Sequence, residues 1–430
     1  MSRKPRNIIP ALPRRAWVIL LGDGFSAIGG GLVLPFLMVY LHRVRGFSLP
    51  IAGLMLSTLA VVGLAGGPIA GWVVDKLGSR RALIISLSIS ALGSLGLAFV
   101  TEVWQGFAVA IVFGFGQMFL WPAIHSLLVS IVSENQRSAV FSVHYATLNA
   151  GIGIGGIVGG LLADVSRPGT FELLYILDSA TFLVFIAILL RVKDVGLKPP
   201  VPEVGAPKAG YARVFKDKVF VRMLVLGSFL VVIGYSQLES GFPAFVTREG
   251  GVSTRVLGFA FAANTAVIVL SQLVVLKKLA GKRRTRAIAT MALLWATAWL
   301  IVLLSNNAGI HWIAVAGAII GMATFALGET FMSPTLPAIV NDLAPDDLRG
   351  RYNALYSTSW AVGHIVGPAI AGVALGAELG NWFFSALIAA CLVAAYLAIS
   401  LERHLPASAN RVTASDVPGT GAEELSPETL

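Results

Sequence analysis

The chain has 430 residues, of which 56% are hydrophobic and 13% charged, and its formal charge is +10. Charged residues make up about 25% of an ordinary soluble domain, so this composition, with a mean hydropathy of +0.80, excludes a soluble globule and implies an integral membrane protein. The single cysteine, Cys391, excludes an internal disulfide and a cysteine-based metal centre, and the sequence holds neither metal or haem ligand spacings nor a G-x4-G-K-[ST] phosphate loop, so no cofactor and no use of ATP are expected.

Twelve apolar stretches follow one another, at about 16–41, 50–72, 82–100, 105–131, 138–163, 171–191, 220–246, 254–276, 287–305, 312–340, 350–376 and 381–401. Most reach the roughly 20 residues that a helix needs to span the hydrocarbon core. Strand alternation is absent, which argues for an all-α membrane protein and against a barrel. The first stretch, after Arg14 and Arg15, is too long for a signal-peptide core and reads as a retained helix. The 254–276 and 350–376 stretches are rich in small and polar residues.

Cations set the orientation. Of the 32 Lys and Arg, only Arg43, Arg45, Arg167, Arg248 and Arg255 fall on one side, leaving 27 on the other. The positive-inside rule then places both termini in the cytoplasm. The positive charge is read as topology and contact with anionic membrane lipid, not as nucleic-acid binding.

Between the second and third stretches lies a hairpin with Gly71, Asp75, Gly78, Arg80 and Arg81 in fixed spacing. Gly71 is expected to close a tightly packed helix and Gly78 to permit a sharp turn; Asp75 is placed to meet a helix N-terminus or a guanidinium. Basic residues here also fit a plain topology signal, but the Gly-x3-Asp-x2-Gly frame favours a conformational latch. The pattern resembles the loop signature of the major facilitator superfamily, roughly G-x-L-a-D-r-x-G-r-R, with Val73 where Leu is commoner. The resemblance implies twelve transmembrane helices in two pseudo-symmetric six-helix halves, a location in the bacterial inner membrane and alternating access.

An internal repeat agrees with two halves. An offset of 212 superposes Arg137 on Arg349, Gly151 on Gly363, Gly155 on Gly367 and Gly160 on Gly372; an offset of 203 superposes Gly78, Arg80 and Arg81 on Gly281, Arg283 and Arg284. Asp75 maps to Lys278, so only the first hairpin keeps its acid. The expected organisation is an N-terminal half at 1–191, a Pro- and Gly-rich cytoplasmic linker at 192–219, a C-terminal half at 220–404 and a disordered cytoplasmic tail at 405–430. The linker's end, 211–220, has the mixed apolar and basic character of a short surface helix. Gly151, Gly155, Gly159 and Gly160 in the fifth stretch, with Gly363, Gly367 and Gly372 in the eleventh, let helices approach closely. They partly match the glycine-proline pattern of the antiporter branch: Gly156 stands in the proline position, whereas Pro368 keeps it in the repeat.

Four carboxylates lie within apolar stretches: Asp23, Asp178, Glu239 and Glu329. A charged side chain there costs on the order of 3 kcal/mol on insertion scales, so such groups face a cavity, pair, or carry a proton. Glu329, followed by Pro334 and Pro337, which are expected to bend its helix, is the first candidate for proton coupling and substrate binding; Asp23 is the second. Asp178 is expected to hydrogen-bond neighbouring hydroxyls, and Glu239 to be an entrance charge. Phe25, Tyr40, Trp121, Tyr145, Tyr235, Phe325 and Trp360 are candidate walls for a flat cation. The setting of Glu329, before Arg349 and Arg351, resembles multidrug–proton antiporters of the superfamily, which implies export of amphipathic or cationic small molecules by a monomer coupled to protons. The arginine that family members carry in the fourth helix is missing between Gly106 and Ser133, leaving His125 or His144 as a substitute, or no coupling. Proton-coupled nutrient uptake and lipid or glycolipid movement are the alternatives within the fold. A membrane-embedded enzyme or receptor would need a nucleophile–base set or an added soluble domain, and neither occurs.

Overall fold

A bilayer offers backbone groups no water, so the chain satisfies them within helices. The computed structural model describes residues 12–133, 136–192, 195–196, 211–332, 334–345 and 348–412, and they form helices joined by short turns. By length and apolarity eleven helices suit a membrane crossing, and a shorter apolar helix, Leu49–Ala65, completes a series of twelve. We number these α1 (Arg14–Val44), α2 (Leu49–Ala65), α3 (Ser79–Ala98), α4 (Val103–Ile131), α5 (Arg137–Leu162), α6 (Pro168–Arg191), α7 (Lys218–Glu239), α8 (Thr254–Leu279), α9 (Arg284–Asn306), α10 (His311–Glu329), α11 (Arg349–Gly376) and α12 (Gly380–Leu401). The chain divides into two compact units, Met1–Pro202 and Glu203–Leu430.

Several apolar stretches are interrupted, among them the seventh, which breaks at Ser240 before a separate helix, Gly241–Arg248. The second breaks at Gly66, after which a separate helix, Gly67–Leu77, runs to Gly78. Gly71 therefore sits inside a helix, and Gly78, at φ 82°, closes it. That left-handed conformation is open to glycine at little cost. Gly281 has φ 76° at the matching position of the other unit, so the repeat extends to the turn itself. The tenth stretch breaks outright where a bend was expected: α10 ends at Glu329, and the next helix, Leu336–Leu343, starts only after Pro334. Prolines lack an N–H and fit the first turn of a helix better than its interior, so Pro337 sits near the start of the new helix.

In the first unit, α1 and α5 pack backbone to backbone. A Cβ on Gly155 would overlap the Ile28 carbonyl and lie 2.8 Å from Gly31 Cα; Gly151 and Gly159 face Gly24 and Leu32 in the same way. In the second unit the repeat is kept, with Gly363 and Gly367 of α11 against Val231 and Ser236 of α7. Gly160 and Gly372 are buried. The second unit has an aromatic core in which Trp299 lies 5.2 Å from Phe325 and 5.7 Å from Phe384.

The tail boundary falls later than expected. Residues 405–412 are ordered, with Asn410 and Val412 buried: the Gly281 N–H donates to the Val412 carbonyl (2.9 Å), and Arg284 N–H to that of Asn410 (2.7 Å). Residues 413–430, like most of the linker (193–194 and 197–210), lie outside the described residues. The short helix expected near 211 forms as Tyr211–Phe215, with Tyr211 and Phe215 exposed.

Candidate functional site

In the second unit the break after Glu329 sets that carboxylate against two other helices. Asn264 of α8 approaches it, Nδ2 to Oε2, at 3.5 Å, and the Tyr235 hydroxyl of α7 hydrogen-bonds it. Tyr235 lies within a π-helical turn, Val231–Tyr235, a local widening often found at functional sites. Around it stand three more rings: Trp360 at 4.8 Å, Trp295 edge-on at 5.5 Å and Phe325 at 6.2 Å. Trp295 stacks on Phe325 at 4.6 Å and donates its indole N–H to the Phe325 carbonyl (3.1 Å). The indole fits because position 328 is glycine; a Cβ there would lie 2.8 Å from Trp295 Cδ1. Thus Glu329, Tyr235, Phe325 and Trp360 lie together, with Phe325 fully buried behind the Tyr235 ring.

Asn264 and Trp295 were not singled out by sequence. The polar richness of the eighth stretch was the signal for Asn264; nothing in the sequence ties Trp295 to Glu329.

In the first unit Asp23 of α1 meets His144 of α5, with Oδ2 3.1 Å from Nδ1. Both are buried, at 6% and 1% exposure, yet the contact lacks hydrogen-bond alignment, and among the described residues both imidazole nitrogens of His144 are without a hydrogen-bond partner. His125 lies 5.6 Å from His144, ring to ring, and Trp121 stands edge-on to both, at 5.4 and 5.9 Å; Tyr145 is 5.6 Å from His144. The first unit therefore joins Asp23, Trp121 and Tyr145 with the two histidines. Phe25 is exposed and has no ring contact among the described residues.

Tyr40 does not belong to this site. It is fully buried, donates to the Leu97 carbonyl (2.5 Å), accepts from Arg45 Nε (2.7 Å) and packs on Phe171 and Tyr175. Arg45 in turn pairs with Glu172 at 3.0 Å, so Tyr40 anchors the far end of α1. Asp178 has the structural setting expected of it: Ser94 donates to its Oδ2 at 2.6 Å. Glu239 ends α7 half-buried.

At the hairpin Arg80 donates to the Leu189 (2.9 Å) and Leu190 (3.1 Å) carbonyls, capping the C-terminus of α6. Asp75 and Arg81 are exposed, and no ion pair is recorded for Asp75 among the described residues.

An all-helical membrane chain built as two repeated six-helix units, each with a buried or half-buried acid flanked by aromatic rings, is a transporter in its architecture. Its family follows from direct comparison: the Major Facilitator Superfamily model matches residues 19–330 and 323–420, and the chain belongs to that family. It is 23% identical over 394 residues to Multidrug resistance protein 1 of Bacillus subtilis (strain 168), covering 91% of this chain and 97% of that one. It is 25% identical over 384 residues to a Na(+), Li(+), K(+)/H(+) antiporter of Planococcus maritimus, covering 82% and 87%. A crystal structure of a POT family transporter in complex with thioalcohol conjugated peptide superposes with a TM-score of 0.77 at 14% identity, over 91% of this chain and 96% of that one, and shares the fold.

Proposed function

We propose that this transporter exports amphipathic, cationic small molecules in exchange for protons, by alternating access. The observation that carries the reading is Glu329: a carboxylate at a break in α10, held by Tyr235 and Asn264 and edged by the Tyr235 and Trp360 rings. Ring faces and a carboxylate together suit a flat cation. The names of the multidrug-resistance and cation/H(+) relatives fit the same chemistry.

In this scheme Glu329 binds the cation when ionised and releases it when a proton enters from outside; deprotonation on the inner side restores the site. Asp23 and His144 form a second proton-holding pair, which offsets the absence of an arginine in α4. The membrane potential contributes about 2.3 kcal/mol per charge per 100 mV when exchange is electrogenic. The Gly71–Arg81 hairpin acts as a latch, both termini are cytoplasmic in a bacterial inner membrane, and the monomer is the working unit.

The test is substrate-dependent proton release from proteoliposomes under an imposed pH gradient, with lipophilic cations compared against sugars and lipids. Cation-dependent release that vanishes in Glu329→Gln supports the reading. Release with sugars or lipids but not with cations refutes it and leaves the fold untouched.

A further inference from the structure

Where α8 ends and α9 begins, Lys278, Lys282, Arg283, Arg286 and Arg411 line one cavity of about 620 Å³. Its wall is apolar, made by Val275, Leu279 and Phe331. Among the described residues one acid answers this charge: Glu402 takes both Arg283 and Arg286. For Lys278, Lys282 and Arg411 no ion pair is recorded among the described residues. Lys278 occupies the position at which the first hairpin has Asp75.

The backbone holds these charges together against their repulsion. Arg283 and Arg411 face each other across an antiparallel bridge, a placement in which like charges destabilise. The bridge is nonetheless pinned on both sides: Val412 N–H donates to the Lys282 carbonyl (3.0 Å), and the Thr285 N–H to Asn410 Oδ1 (3.0 Å). Beneath it the buried Arg284 pairs with Asp342 and donates to the Ala409 carbonyl (2.9 Å). A strap fixed in this way, closing a cationic cavity with Arg411, has the form of an anion site.

We propose that this cavity binds the phosphate head group of an anionic phospholipid, with the lipid's acyl chains running along Val275, Leu279 and Phe331. A free anion would need only the cations. The apolar wall and the position at the end of a membrane helix match an amphiphile, and each Lys or Arg near such a surface adds to the attraction for anionic lipid.

The test uses the full-length transporter in mild detergent, titrated with phosphatidylglycerol or phosphatidylcholine and read by native mass spectrometry. One phosphatidylglycerol is retained and phosphatidylcholine is not. Lys278→Gln/Lys282→Gln/Arg411→Gln, which leaves the Glu402 pairs in place, lowers phosphatidylglycerol affinity roughly tenfold or more. Arg14→Gln/Arg15→Gln/Arg191→Gln removes the same charge from the first unit and keeps that affinity. Unchanged binding in the first triple variant overturns the proposal, as does equal loss in both, which marks general charge attraction. Displacement by millimolar inorganic phosphate overturns it in favour of a free-anion site. Thermal midpoints report folding separately, and the single Lys282→Gln change at an exposed position serves if the triple variant does not fold.

Discussion

Replacing Glu329 by Gln removes one charge and keeps the shape of the side chain, so it separates electrostatics from packing. The amide oxygen still accepts from Tyr235, and Asn264 is able to rotate its own amide to offer an acceptor, so the native fold loses no more than about 1 kcal/mol. The loss to a bound cation is larger. At about 4 Å and an effective dielectric near 20, a carboxylate attracts a cation by ~4 kcal/mol. After the cation's desolvation we expect about 2–3 kcal/mol to remain, or roughly 30- to 150-fold in affinity. Equilibrium binding of a lipophilic phosphonium to purified protein measures this, with a neutral aromatic of similar size as control. Glu329→Gln should weaken the phosphonium alone and abolish cation-triggered proton release. Equal phosphonium affinity in mutant and wild type, or persistent coupled proton release, refutes the assignment of Glu329.

Gly155→Ala drives a Cβ into the Ile28 carbonyl and should destabilise by about 1–3 kcal/mol and slow transport; Gly30→Ala, with open space at its Cβ, should leave both the melting temperature and the rate near wild type. Asp23→Asn and His144→Gln should each lower the melting temperature and the proton signal. If the two act as a pair, the double variant should be no worse than the poorer single, and full additivity would show that they act independently. Arg80→Ala leaves the Leu189 and Leu190 carbonyls without their charged donor, at about 1.5–3 kcal/mol for a bond to a charged group, and hydrogen exchange should quicken at the end of α6. Arg284→Ala should release the 405–412 strap, seen as faster exchange there, whereas unchanged exchange would mean that the backbone bonds suffice.

The twelve spans were legible because a bilayer demands long apolar runs, and the turn glycines Gly78 and Gly281 because few other residues accept their φ. Repeat offsets also carried over to packing, since Gly151 and Gly363 each face the first helix of their own unit. The acid at 329 stood out by its cost in an apolar stretch. Part of its surroundings did not: Asn264 and Trp295 reach the site by tertiary packing that no period records. Tyr40 has the composition of a binding aromatic and the environment of a core residue, a difference set by Arg45 and Leu97. The 405–412 segment reads as solvated by its Pro, Ser and Asn, yet Asn410 is buried because its amide and carbonyl satisfy the N–H groups at the start of α9. Pro334 and Pro337 suggested a kink; two prolines so close leave too few donors to continue the helix, and it ends.

Cys391, fully buried in α12 and the one thiol of the chain, makes this protein convenient for spectroscopy. A maleimide or spin label supplied in water has no native thiol within easy reach, so pairs of cysteines introduced at exposed sites such as Asp75 and Lys282 would be labelled over a near-silent background. Distances between those labels, followed as pH and cation are varied, would test whether the two halves move as the proposed alternating access requires.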